Sequence, residues 1–319
     1  METATSVSRR EHKNRTGRAW LRLLRPPNLF TVPGDPLVGQ FLASSGSNLR
    51  VVHLAPPLVA SLLLYSSGLL GNDWFDLEVD RRERPERPLP SGEICPALVA
   101  VMACVSGIGG VLVAGLSGWQ TAAFATTLLV LIGLYDGILK RVPVVGPFTM
   151  GLCRGTSLLM GASAVPDARA GAFPVAASAA ALTAFIAIIT FIAQHETGTR
   201  RPPAAFLWAA PTIVVGWLVV VTLSVPTTTW ARVLAACLSA AAFGWMAHVS
   251  HCLARSTRPC EISANVGRYL RGLLLTQAAL CSLWAGPAAS LFPYGVAAAC
   301  ALVAAFPLAS WTAKRFYAS

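Results

Sequence analysis

Residues 71–92 read GNDWFDLEVDRRERPERPLPSG, and they hold Asp73, Asp76, Glu78, Asp80, Glu83 and Glu86, six of the 14 acidic residues in a chain of 319. The stretch follows a long apolar run in a sequence otherwise very poor in carboxylates. On a helix Asn72, Asp76 and Asp80 recur at i, i+4 and i+8, so their oxygens share one face, and Asp73, Asp76 and Asp80 give nearly the same stripe. Like charges at this spacing repel each other by roughly a few tenths of a kcal/mol per pair on an isolated helix. A bound cation is the usual reason such a stripe persists. All-oxygen donors select a hard ion, and Mg²⁺ typically takes one or two carboxylates together with the phosphates of a substrate. The spacing therefore predicts a Mg²⁺–diphosphate site at a membrane surface. The competing reading is a solvated acidic loop balanced by Arg81, Arg82, Arg84 and Arg87, which would not require helical spacing.

The composition places that stretch in a bilayer context. The chain is 55% hydrophobic and 12% charged, with a mean hydropathy of +0.59; a soluble domain of this size carries about twice the charge. Apolar runs of spanning length lie at 27–45, 51–71, 95–117, 120–139, 144–165, 173–195, 204–224, 229–252, 265–285 and 289–311, each near the ~20 residues a bilayer requires. The expected fold is all-α, a polytopic membrane bundle of about nine to ten transmembrane helices. The first 25 residues are polar and basic with no separate apolar core or cleavage site, so no secretory signal is read there. Residues 1–20 are expected to form a disordered basic tail, and 21–319 a single membrane-embedded domain.

Net charge is +11, but its distribution argues against nucleic acid. With the segments numbered one to ten, the N-terminal tail, the even-numbered inner loops and the C-terminus hold 21 of the 25 Lys and Arg; only Arg50, Arg169 and Arg232 fall on the other side, and Arg154 lies inside segment five. That asymmetry is the positive-inside pattern. It predicts a multi-pass plasma (inner) membrane protein with both termini and the acidic stretch facing the cytoplasm. The eight cysteines show no CxxC or metal-ligand spacing and read as small apolar filler.

The remaining polar residues are sparse enough to name. LRLLRPPNLF opens segment one, with Pro26 and Pro27 suited to a first helical turn. Asn28 and Asp35 follow, seven residues apart and so on one helical face. An intramembrane carboxylate is a functional hypothesis by default; Asp35 is equally readable as a structural partner for Arg154. Segment four ends in LYDGILKR, where Asp136 and Lys140 read either as an intrahelical i, i+4 pair or, with Lys140 and Arg141, as a grip on a diphosphate beside Tyr135. Segment five contains MGLCRGTSLLMG, whose small residues permit close helix packing. Segment six ends in QHETGTRRPP, with His195 either a base or an interfacial residue. His248 and His251, three apart with no third ligand nearby, read as interfacial.

The stretch NDWFDLEVDRRERPERPLPSG resembles the first aspartate motif of UbiA-type intramembrane prenyltransferases, an Asn-x3-Asp-x3-Asp run followed by a basic, proline-rich tail. RPPN at the start of the first helix, Tyr-x4-Lys-Arg at the end of the fourth, and the helix count and polarity agree with it. Some of these traits are similar to a bacterial branch encoded beside ebo-type metabolic genes. The resemblance implies an all-helical enzyme that binds a prenyl diphosphate through Mg²⁺, ionises it, and lets an acceptor attack the allylic carbocation. It implies Asn72, Asp73, Asp76 and Asp80 as metal ligands, and Asp76, Asp80, Tyr135 and Lys140 as the catalytic set. The substrate-binding set it implies is Asn28, Asn72, Arg84, Lys140, Arg141, Arg154, Glu196 and Arg200. Partners would be the prenyl diphosphate, an acceptor and the bilayer, with no obligate protein partner.

The sequence departs from that pattern after segment six. A second aspartate motif is expected there, and Glu196 is the lone carboxylate; Arg200 and Arg201 are candidates to replace a second ion. Three other readings stay open. A transporter of a prenylated or phosphorylated metabolite would place its ionisable groups near the bilayer midplane, whereas only Asp35 and Arg154 reach inward here. A family member that binds prenyl lipid without turnover, or a lyase or cyclase using the same ionisation, would keep the first motif. CDP-alcohol phosphotransferases are excluded, since Asp136–Gly137 has no Asp-x3-Asp downstream.

Overall fold

The computed structural model describes residues 17–44, 51–165, 172–196, 202–255, 259–284 and 292–316. All regular structure among them is helical. We number the helices α1 (17–24), α2 (Pro26–Leu29), α3 (Gly34–Ala43), α4 (Val51–Phe75), α5 (Leu77–Glu83), α6 (Pro96–Gly115), α7 (Trp119–Gly137), α8 (Val145–Ser163), α9 (Ala172–Ala193), α10 (Ala204–Ser224), α11 (Thr229–Arg255), α12 (Pro259–Ser282) and α13 (Phe292–Phe316). Short 3₁₀ turns at Leu139–Arg141 and Gln194–Glu196 follow α7 and α9.

Six of these helices have the length and apolarity to cross a membrane: Leu54–Phe75, Pro96–Gly115, Ala172–Glu196, Ala204–Ser224, Thr229–Arg255 and Tyr294–Arg315. The other segments expected to span are those that carry polar residues inward. Helix α7 carries Tyr135 and Asp136 near its end, α8 holds Arg154, and α12 holds Arg271 and Gln277. Pro56, Pro57, Pro211 and Pro307 lie inside helices, which is tolerated where neighbouring helices re-satisfy the freed carbonyls.

Segment one is the largest departure from expectation. Within it the described residues form two pieces, α2 and the ten-residue α3, separated by turns at 30–33. Asn28 and Asp35 therefore do not share a helical face. Pro26 disfavours the right-handed helical conformation at Arg25, which adopts a left-handed one (φ 44°, ψ 64°) and turns the chain from α1 into α2. Residues 17–20, assigned to the tail, begin α1; residues 1–16 of that tail lie outside the described residues.

The bundle packs around α8. Helices α3, α7 and α9 lie directly on it, α12 returns to α3, and α4, α6 and α7 form a second group. Small residues set the closest approaches. A Cβ on Gly161 would lie 2.1 Å from the Pro36 carbonyl oxygen, and one on Gly39 2.1 Å from that of Leu158. Backbone cannot yield as a flexible side chain does, so α3 and α8 cross in contact only because both positions are glycine.

The contrast between two glycines tests this packing. Gly161→Ala is expected to lower the thermal transition in detergent, equivalent to about 1–3 kcal/mol of overpacking. Gly216→Ala, where a Cβ meets open space, is expected to leave the transition unchanged or raise it by up to about 1 kcal/mol from helix propensity. Equal transitions for the two variants would show that α3 and α8 are not in contact.

Candidate active site

Helices α4, α7 and α8 wall an interior cavity of about 230 Å³. Ser61, Tyr65, Gly68, Leu69 and Asn72 of α4 face it, as do Leu128, Ile132, Tyr135 and Asp136 of α7 and Met150, Cys153, Arg154 and Ser157 of α8. Val32, Asp35 and Arg25 complete the lining. On each helix these residues recur in steps of mostly three and four, so each helix contributes one stripe. The α4 stripe runs from Ser61 to Asn72, roughly 16 Å along the axis, and is continued in register by Asp76.

Asp76 marks where α4 stops. Its backbone (φ −88°, ψ 0°) leaves the helix for one residue before α5 begins, so two helices carry the acidic stripe rather than one. The bonds from Asp76 N–H to the Asn72 carbonyl (3.0 Å) and from Asp80 N–H to the Asp76 carbonyl (2.8 Å) nevertheless preserve the four-residue repeat. The break therefore leaves the stripe in register.

Basic residues divide the stripe into two clusters. Lys140 Nζ lies 2.7 Å from Asp76 Oδ1 and donates to Asn72 Oδ1 at 3.1 Å. Arg87 donates to Asp80 Oδ2 at 2.7 Å and lies 3.8 Å from Asp73 Oδ1, to which Arg25 donates at 3.0 Å. Asn72 and Asp73, adjacent in the chain, set the two clusters side by side. Asp73 and Asp80 are buried, whereas Asp76 keeps 25% of its side chain exposed.

Of the two readings of Asp136 and Lys140, the intrahelical pair gives way to this arrangement. Helix α7 ends at Gly137, and the 3₁₀ turn carries Lys140 across to α4. Asp136 stays buried against Gly71, where a Cβ would come within 3.3 Å of its carboxylate, and it lines the cavity beside Tyr135. Asn28 sits beside Tyr65 of the cavity wall. Arg141 is exposed on its turn.

Burial raises the Glu196 carboxyl above its ordinary range, and the nearby charges of Arg84 and then Arg25 oppose that rise. It therefore belongs to the electrostatic environment of the first motif although its own motif is missing. Arg200 and Arg201 lie outside the described residues. His195 Nδ1 is 3.0 Å from the Phe191 carbonyl and its ring meets Phe191 edge-on, as a helix-end residue would. Asp35 and Arg154 are a buried ion pair at 2.5 Å, at the opposite end of the cavity stripe from Asn72.

Among the described residues no three His, Cys, Asp or Glu side chains are grouped closely enough to hold a metal by themselves. Asn72, Asp73, Asp76 and Asp80 are thus not one preassembled cage, because the arginines and Lys140 draw them into pairs. Mg²⁺ does not need such a cage; it keeps waters and takes one or two carboxylates plus substrate phosphates. The partly exposed Asn72–Asp76 pair beside the cavity fits that demand.

Sequence reasoning gave no site role to Arg25, Arg87, Asp136 or Ser157. Arg25 had a local signal, since a residue before two prolines has few backbone conformations open to it. Arg87 was legible only as a charge balancing a loop. Asp136 and Ser157 carried no usable signal, because their part depends on which face of α7 and α8 turns inward.

Residues 36–261 match the UbiA prenyltransferase family. The chain is 33% identical over 175 residues to a digeranylgeranylglyceryl phosphate synthase of Methanothrix thermoacetophila, covering 54% of this chain and 60% of that protein. It is 34% identical over 146 residues to the synthase of the same name from Methanopyrus kandleri, covering 46% and 53%. The matched region thus spans between about half and three-fifths of these relatives' length. Among solved structures, a UbiA homolog from Archaeoglobus fulgidus bound to DMAPP and Mg²⁺ superimposes with a TM-score of 0.56 at 16% identity, over 91% of this chain and 99% of that one. A structure of digeranylgeranylglyceryl phosphate synthase superimposes equally well, with a TM-score of 0.56 at 19% identity, over 85% and 98%. By the extent of the family match and the shared helical architecture, this chain belongs to the UbiA prenyltransferase family.

Proposed function

We propose that the protein transfers a prenyl group from a prenyl diphosphate to an acceptor within the membrane, with Mg²⁺ as its cofactor. The observation that carries this reading is the join between two unlike environments. Asn72, Asp76 and Lys140 form a polar mouth, and directly behind it Leu69, Leu128, Ile132 and Met150 line an apolar cavity. An amphiphile with an anionic head and a hydrocarbon tail needs both. The relatives' name, digeranylgeranylglyceryl phosphate synthase, and the neighbours bound to DMAPP or GPP with Mg²⁺ support the same chemistry.

In this reading Asn72 and Asp76 would hold Mg²⁺ at the mouth, with Asp80 and Asp73 as the further oxygen donors of the stripe. Mg²⁺ supplies charge neutralisation at the departing oxygens. Lys140 sits on the same two residues and shares its positive charge with the leaving group. Arg87 and Arg25 hold Asp73 and Asp80 in place and keep two buried carboxylates from repelling an anionic substrate. Tyr135 faces the cavity beside Asn72, where its ring is placed to stabilise an allylic cation. The apolar walls keep water from that cation. Glu196 with Arg84 occupies the ground of the missing second motif. The positive-inside distribution supports a mouth on the cytoplasmic side of the plasma membrane.

Purified protein incubated with prenyl diphosphates of ten, fifteen and twenty carbons, with and without Mg²⁺ and with cell extract as a source of acceptors, tests the reading. Mg²⁺-dependent binding with release of diphosphate is the expected result. Binding without release would favour a non-catalytic prenyl-lipid binder, as the missing second motif suggests, and no binding would remove the proposal.

Three mutational predictions follow from the geometry. Asp76→Ala is expected to lower diphosphate release at least about 100-fold with an unchanged thermal transition, because its side chain is partly exposed. Asp80→Ala is expected to lower both release and the transition, since it leaves Arg87 without its nearest partner. Glu196→Ala is expected to cost less than about tenfold, in line with a charge-balancing role. Release kinetics alongside thermal unfolding separate the three, and near-normal release from Asp76→Ala would overturn the metal assignment.

A further inference from the structure

The turn that delivers Lys140 to the acidic stripe has an outer face that the mouth does not use. Residues 138–148 read ILKRVPVVGPF, with Lys140 and Arg141 as their charged side chains. Lys140 turns inward to Asp76 and Asn72. The other side presents Ile138, Val142, Val144, Val145 and Phe148, all exposed and Val144 most of all at 66%, with Arg141 exposed among them. Arg141 has no carboxylate partner among the described residues.

This loop is built so that it cannot fold those side chains away. The Gly146 N–H donates to the Val142 carbonyl at 3.0 Å, and a Cβ on Gly146 would lie 2.9 Å from the Leu139 carbonyl oxygen, so the loop closes backbone against backbone. At its tip the Val145 N–H donates to the Pro143 carbonyl at 2.8 Å, making a three-residue turn centred on Val144. Val144 has φ 69° and ψ −50° there, a rare γ-turn conformation that is strained, above all for a β-branched residue. Strain is thus held at the position that projects a valine outward. In water both the strain and the exposed valines would be net costs, whereas in a lipid headgroup layer the valines leave water.

Place and charge identify the occupant of this face. It continues into α7 and α8 at the level of the mouth, on the side that the positive-inside distribution supports as cytoplasmic. Anionic phospholipids give that leaflet its negative surface. An arginine among apolar side chains lays its stem along them while its guanidinium reaches a lipid phosphate. We propose that the outer face of the 138–148 turn binds one anionic phospholipid, its phosphate held by Arg141 and its acyl chains lying on Ile138, Val144 and Phe148. Arg141 is then a lipid ligand, where the Lys140–Arg141 spacing alone suggested a second grip on substrate. The inference stands apart from the prenyl-transfer reading, since it invokes no catalytic step.

The full chain in detergent is titrated with dioleoylphosphatidylglycerol, dioleoylphosphatidylcholine or soluble glycerol 3-phosphate. Retained molecules are counted by native mass spectrometry alongside thermal unfolding. One phosphatidylglycerol is expected to bind about fivefold more tightly than phosphatidylcholine, the preference a single cation gives at a membrane surface, and glycerol 3-phosphate is expected not to be retained. Arg141→Ala is expected to abolish the preference with an unaltered thermal transition, and Arg141→Lys to keep part of it. Arg255→Ala, which removes an exposed arginine at the end of α11, is expected to leave the preference intact. Val144→Gly is expected to weaken retention at least about threefold, through lost apolar contact, while raising the thermal transition in lipid-free detergent, because glycine accepts a positive φ without strain. Misfolding cannot produce those opposite changes together. Equal retention of the two lipids, an equal loss from Arg255→Ala, retention of glycerol 3-phosphate to match the lipid, or unchanged retention by Val144→Gly would overturn the proposal.

Discussion

The pairing of the buried acids Asp73 and Asp80 with arginines brought from other parts of the chain is the constraint on which the rest of the architecture depends. Carboxylates at the edge of an apolar bundle are stable only when paired, and here each buried or half-buried acid of the stripe meets a cation from elsewhere in the chain. Lys140 comes from the turn after α7, Arg25 from the junction of α1 and α2, and Arg87 from the proline-rich link after α5. These pairings fasten the loops of three regions onto the end of α4. The same charges that hold the loops are those an anionic substrate would meet on arrival.

The cavity behind this mouth is closed by a second neutral pair. Asp35–Arg154 links α3 to α8, and Gln277 extends the link to α12. Between the two polar ends the walls are largely apolar. Polar, apolar and polar residues alternate along about 16 Å of helix. The arrangement is made affordable by the glycines of α3 and α8, which let those helices approach until backbone touches backbone.

The family resemblance was carried mainly by 22 residues of sequence, 71–92, and the structure shows why so short a stretch sufficed. Its helical spacing survives even though the helix itself breaks at Asp76, because the backbone bonds continue across the break. Segment one shows the opposite case. Its apolar run read as one helix, but Arg25, Pro33 and the turns between divide it, and the expected common face of Asn28 and Asp35 does not exist. Both residues still meet the cavity, Asp35 directly and Asn28 through Tyr65, for tertiary reasons that no periodicity contains.

By itself the sequence determined the helical membrane class, the position of the acidic stripe and the sidedness of charge, because each follows from local composition or spacing along one chain. Only the tertiary structure decided which cation faces which acid. Lys140 reads as a partner for Asp136 by i, i+4 arithmetic, yet α7 ends three residues earlier and Lys140 crosses to α4. It also decided that Asp35 and Arg154, 119 positions apart in sequence, close the far end of the cavity, and that Ser157 turns toward it. Charge pairing depends on separations of a few ångströms between helices, and those separations are set by packing, not by the order of residues.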